Sequence, residues 1–86
     1  MLYYPAILFA ADSNGVSGCT VPDLLVNGSG RSTDAAMRDA AASVHELLAD
    51  LARKGEPFPE PSPVDEIDLD GGTLVYLSAT PPHVAA

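Results

Sequence analysis

STDAAMRDAAASVHELLADLARKGEPFPEPSP, residues 32–63, joins a segment that must be helical to one that cannot be. Ala36, Met37, Ala40, Ala41, Val44, Leu47, Leu48 and Leu51 recur at helical spacing and form one apolar stripe. Ser32 can cap the first turn through its hydroxyl, and Asp34 adds negative charge where the helix dipole favours it. Arg53 and Lys54 suit the last turn, and Gly55 can take the left-handed conformation that closes a helix. Alanine fills the first half of the stripe and leucine the second, so the helix is expected to lie closest to its neighbour near its start. Prolines 57, 59, 61 and 63 then forbid helix and favour a polyproline-like path of about 3.1 Å per residue. Such a path would carry the chain back along a sheet without competing for hydrogen bonds.

The rest of the chain supplies that sheet. Residues 2–10 read as a strand with Tyr3, Ile7 and Phe9 on one face and Leu2, Tyr4, Ala6 and Leu8 on the other. Pro5 has no amide to donate and should sit at an edge or a break in pairing. Asp12-Ser13-Asn14-Gly15 is a tight-turn signal, predicting a return strand over 16–21 that Gly18 interrupts. Pro22-Asp23 marks a break, 24–27 reads as a short third strand, and NGSGRS as a turn into the helix. The acidic, turn-rich DEIDLDGG leads to a last strand over 73–80; Pro81-Pro82 ends it, with HVAA expected to fray. The order is β-β-β-α-β. It makes an α+β domain, with one antiparallel-type sheet carrying a helix on one face.

With 86 residues the chain is expected to form a single domain, 1–86, with one thin core and little interior for a deep active site. Its net charge is −8, with only Arg31, Arg38, Arg53 and Lys54 as cations. Too few basic groups exist for a nucleic-acid stripe, so direct nucleic-acid binding is not expected. The charge either serves solubility or steers the chain towards a basic partner. Cys19 is the only cysteine, which excludes an internal disulfide and fits a reducing compartment. The apolar N-terminus has no basic leader and contains a proline, so neither a signal peptide nor a membrane span is read there. A cytoplasmic location is expected.

Catalytic patterns are weak throughout. Residues 66–71 resemble a calcium loop superficially, but the first ligand position is Glu66 and the twelfth is Leu77, where a bidentate Glu is needed. His45 flanks the helix stripe without a second His or Cys at ligand spacing, and His83 lies in the tail. No nucleophile elbow and no phosphate loop is present. No metal, no cofactor and no enzymatic activity are expected. The outer helix face aligns Asp39, Ser43, Glu46 and Asp50. This stripe is either a solvated face or an acidic landing strip for a basic partner.

YYPAIL at the start, the Asp-Ser-Asn-Gly turn, VPDL at 21–24 and GRSTDAAMRDAAASVHELLADLARKGEPFPEPSP occur in the order and spacing of one family. In these features the chain resembles the N-terminal, antitoxin-type domain of HicB proteins, from bacterial HicA–HicB toxin–antitoxin pairs. It departs from the pattern at Leu25-Val26, where members usually have Pro-Gly, at Ala35, where an acid usually completes the capping box, and at Gly18. The resemblance implies a partial RNase H-like fold without the nuclease carboxylates. It also implies an inhibitor that covers the RNA site of a small basic RNA-cleaving toxin. Many members continue into a DNA-binding domain; none is read before Ala86, so operator binding by this chain alone is not expected. Candidate contact residues are Asp39, Glu46 and Asp50 on the helix, with Glu56 and Glu60 in the proline tract. Self-association as a dimer or tetramer is also expected, because a small sheet gains by pairing or packing with a copy of itself. The alternative is a stand-alone oligomeric binding or regulatory module without a toxin; a vestigial nuclease is a more distant one.

Overall fold

Asp12 organises the first turn. Its carboxylate accepts the Asn14 and Val16 amides at 2.8 and 3.0 Å, and Gly15 takes φ 76°. This joins β1 (Leu2–Phe9) to β2 (Ser17–Val21) as an antiparallel hairpin. The structure, a computed structural model, describes residues 2–79. The expected ends of the last strand at Thr80 and Pro81-Pro82, and the tail with His83, lie outside the described residues.

The third strand corrects the sequence reading. Pro22–Leu24 is a 3-10 turn closed by Leu25 in the left-handed region at φ 54°, and β3 runs over Val26–Gly30. NGSG is therefore strand, not turn. Gly28 and Gly30 stand opposite Cys19 and Ser17 of β2 and face the helix. A Cβ on Gly28 would lie 2.4 Å from the Ala40 nitrogen and 2.6 Å from the Ala36 oxygen. These glycines serve close approach of two backbones, which local sequence rules read as turn propensity.

α1 (Thr33–Lys54) starts and stops as the sequence indicates. The Ser32 hydroxyl accepts the Ala35 amide at 3.1 Å, so the cap forms even without an acid at position 35. At the other end Gly55 takes φ 69°, its amide donates to Ala52, and the Glu56 amide donates to Leu51. Ala36, Ala40, Val44 and Leu48 are buried against Tyr4, Ala6, Cys19 and Val21, with Met37, Leu47 and Leu51 packed around them. The alanines permit the approach to Gly28 and Gly30; the larger Val44 and Leu48 fill the widening space beyond.

β4 (Thr73–Ala79) pairs antiparallel with β1 from Leu8 back to Leu2, which completes the order β3-β2-β1-β4. The sheet is antiparallel throughout and carries α1 on one face. β2 pairs with β1 only at Ile7–Phe9, so Pro5 lies past the end of β2 and its missing amide breaks no bond there.

Candidate functional site: the proline strap and the acidic surface

The proline tract is tied to the helix-bearing side of the sheet. The fully buried Tyr4 ring ends in a hydroxyl that donates to the Pro59 carbonyl at 2.7 Å. Burial first, then the charges of Asp23 and Glu60, push the Tyr4 phenol above its ordinary value and keep it a donor. Asp23 accepts both the Ser62 amide at 2.8 Å and the Ser62 hydroxyl at 2.5 Å. Between these anchors and the helix end, Phe58 packs on the core. The prolines leave no amide to satisfy, so three hydrogen bonds and one aromatic ring suffice to hold the strap. The chain then makes a second 3-10 turn at Val64–Glu66 and, before β4, a turn in which Asp70 and Gly71 take φ 47° and 83°.

The five candidate contact residues fall in two groups. Asp39, Glu46 and Asp50 share a helix flank by spacing, but not equal freedom. Asp39 accepts the Ser29 amide of β3 at 3.0 Å and so helps hold the helix to the sheet edge. Asp50 meets Arg53 at 3.1 Å and Lys54 at 2.9 Å; Lys54 above all holds its carboxyl below the usual range. Glu46 is exposed. Glu56 follows directly on the helix cap and Glu60 lies between the strap's two anchors, both exposed.

Sequence reading took the acidic DEIDLDGG as a turn and did not join it with Glu56 and Glu60 into one larger concentration of charge. Glu56, Glu60, Asp65, Glu66, Asp68 and Asp70 all lie on the connection between α1 and β4, all exposed, with no cation among them. That connection carries −6, while the rest of the chain sets six acids against four cations and carries −2. Counting charge by segment rather than by helix face would have found it. Elsewhere, desolvation pushes up the buried Cys19 thiol, and His45 is exposed on α1. Among the described residues no group of three or more His, Cys, Asp or Glu is placed to hold a metal ion. No described helix is long and apolar enough to cross a membrane.

No family profile matches the chain, and no curated protein matches it. Solved structures do. The N-terminal domain of the Burkholderia pseudomallei antitoxin HicB superimposes with a TM-score of 0.80 at 24% identity, covering 92% of this chain and 99% of that one. The longer chain of the Burkholderia pseudomallei antitoxin HicB gives 0.77 at 22% identity, covering 100% of this chain and 74% of that one. The four-stranded antiparallel sheet with its single helix is thus the fold of the HicB N-terminal domain, as the resemblance implied.

Proposed function

We propose that this chain is an antitoxin-like protein that binds and neutralises a small basic HicA-type mRNA-cleaving toxin by covering its RNA-binding and catalytic surface. The observation that carries the reading is the shared fold with an antitoxin domain over nearly the whole of both chains. Charge supports it: an excess of −8 attracts a surface built to hold RNA phosphates and speeds encounter with it. Of the five candidate contact residues, Glu46, Glu56 and Glu60 are the most available to such a partner. Asp39 and Asp50 belong to the same surface but are already engaged within the chain. The chain itself acts without catalysis, in the cytoplasm, and as a homo-oligomer.

The test is co-purification with the product of an adjacent short basic reading frame, followed by an RNA-cleavage assay. A stoichiometric complex that salt weakens and that silences cleavage is the expected result. Glu46→Lys with Glu60→Lys should weaken the complex and flatten its salt dependence. No small basic protein at the locus or in the pull-down would refute the reading and leave a stand-alone oligomeric module of this fold.

A further inference from the structure

Leu25 stands where folding gives it no burial. It is 90% exposed, the most exposed large apolar side chain among the described residues, and its backbone is left-handed at φ 54°. The other non-glycine residue with positive φ is Asp70, a type that tolerates that region. A leucine there is strained, because its Cβ crowds the carbonyl that follows. The turn itself asks of residue 25 only an amide, which donates to the Pro22 carbonyl at 3.3 Å. Glycine or asparagine would supply it without the strain. A side chain that weakens the fold and is not buried by it has its reason outside the fold.

The surroundings indicate that reason. Asp23, two residues before Leu25, holds the amide and hydroxyl of Ser62. Val64, two residues after Ser62, is 47% exposed. The Asp23–Ser62 contact therefore joins two segments that each present an exposed apolar side chain two residues away. Exposed acids flank them: Glu60 before the anchor, Asp65 and Glu66 directly after Val64. No cation occurs between Glu56 and Asp70. Apolar side chains within an acidic rim complement a basic surface with an apolar depression. A second copy of the chain would instead bring Glu60, Asp65 and Glu66 against their like.

We propose that Leu25 and Val64 form the apolar centre of the contact with a small basic protein partner, that Glu60, Asp65 and Glu66 form its rim, and that Leu25 determines specificity. This rests on the antitoxin reading and puts the contact at the junction of turn and strap rather than on α1. The roles divide by physics. The acids speed encounter and are screened by salt, whereas a leucine seated in the partner slows release and is not.

The experiment measures association and dissociation rates of the full chain with the small basic protein encoded beside it, at low and high salt. Thermal unfolding of the chain alone accompanies it. Leu25→Asn should hold Tm or raise it by up to about 4 °C, since asparagine fits the left-handed region. The same variant should release the partner about tenfold or more faster at both salt concentrations, as loss of a buried leucine requires. Leu25→Met keeps an apolar side chain and should restore slow release. Glu60→Lys should slow association at low salt only. Val16→Asn, at the other end of β2, should bind as wild type. Leu25→Gly repeats the test should the asparagine variant not fold. Wild-type binding by Leu25→Asn or Leu25→Gly overturns the assignment, and so does a fall in Tm of both, which would make the leucine structural. An oligomeric state changed by Leu25→Asn with partner binding intact gives the patch to a second copy and overturns it as well. Absence of any basic partner removes the proposed function and this surface with it; a partner that binds wild type and variants alike removes the surface alone.

Discussion

Among the glycines, Gly28→Ala should be the most damaging substitution. The new Cβ would sit 2.4, 2.6 and 2.8 Å from the Ala40 nitrogen, the Ala36 oxygen and the Ala40 Cα, all of them helix backbone. Ordinary contact begins near 3.4 Å, so α1 must retreat by about 1 Å at its first two turns. That retreat loosens Ala36 and Ala40 from the sheet and tilts Val44 and Leu48 out of their packing with Tyr4 and Val21. Overpacking usually costs about 1–3 kcal/mol, and with no flexible side chain to yield, the upper end applies. Against a total of roughly 4–13 kcal/mol for a domain of this length, a loss of about 3 kcal/mol lowers Tm by roughly 12–24 °C. Urea denaturation followed by far-UV circular dichroism measures it, with Gly18→Ala as the control. A Cβ at Gly18 meets nothing nearer than 3.9 Å, so that variant should stay within about 1 kcal/mol of wild type. Ala40→Gly should not rescue Gly28→Ala, because the clashing nitrogen and Cα remain. A Gly28→Ala protein within about 0.5 kcal/mol of wild type at unchanged m-value would refute the close-approach argument.

Three further perturbations address the helix cap and the strap. Ser32→Ala removes the hydroxyl that accepts the Ala35 amide and should cost about 1 kcal/mol, read from the urea midpoint, with Ser32→Asn close to neutral. Tyr4→Phe loses the bond to the Pro59 carbonyl, for about 1 kcal/mol near neutral pH. Because the folded state raises the Tyr4 pKa, its contribution is complete below tyrosine's ordinary value of about 10 and is lost as pH rises through the higher folded value. Wild type should therefore lose stability more steeply than Tyr4→Phe in alkaline urea titrations, and parallel curves would contradict the assignment. Asp23→Asn and Ser62→Ala should show strong coupling in a double-mutant cycle, together with faster proteolysis of the strap; independent effects would mean that the two side chains do not hold it.

Legibility followed the range of the interactions. The helix and its caps could be read because Ser32, the apolar stripe and Gly55 act within a few residues of one another. The Asn-Gly turn was legible for the same reason. The third strand was misplaced because Gly28 and Gly30 look the same in sequence whether they free a turn or clear space for the backbone of the helix that follows. Among the candidate contact residues, exposure of Glu46, Glu56 and Glu60 follows from their position and charge. That Asp39 is occupied by Ser29 depends on where β3 meets α1, and no local pattern reports it.

By itself the sequence determined the inventory: one amphipathic helix with marked ends, apolar strands, a tract barred from helix by its prolines, and an acidic excess. These depend on near-neighbour sterics, periodicity and composition, which a linear chain already contains. Tertiary structure decided which glycines are contacts, which acids are spoken for, and how Tyr4 and Asp23 reach 55 and 39 residues along the chain to fasten the strap. Those are outcomes of pairing and packing between distant segments. Their energies exist only once the sheet order has placed the partners within reach of a hydrogen bond.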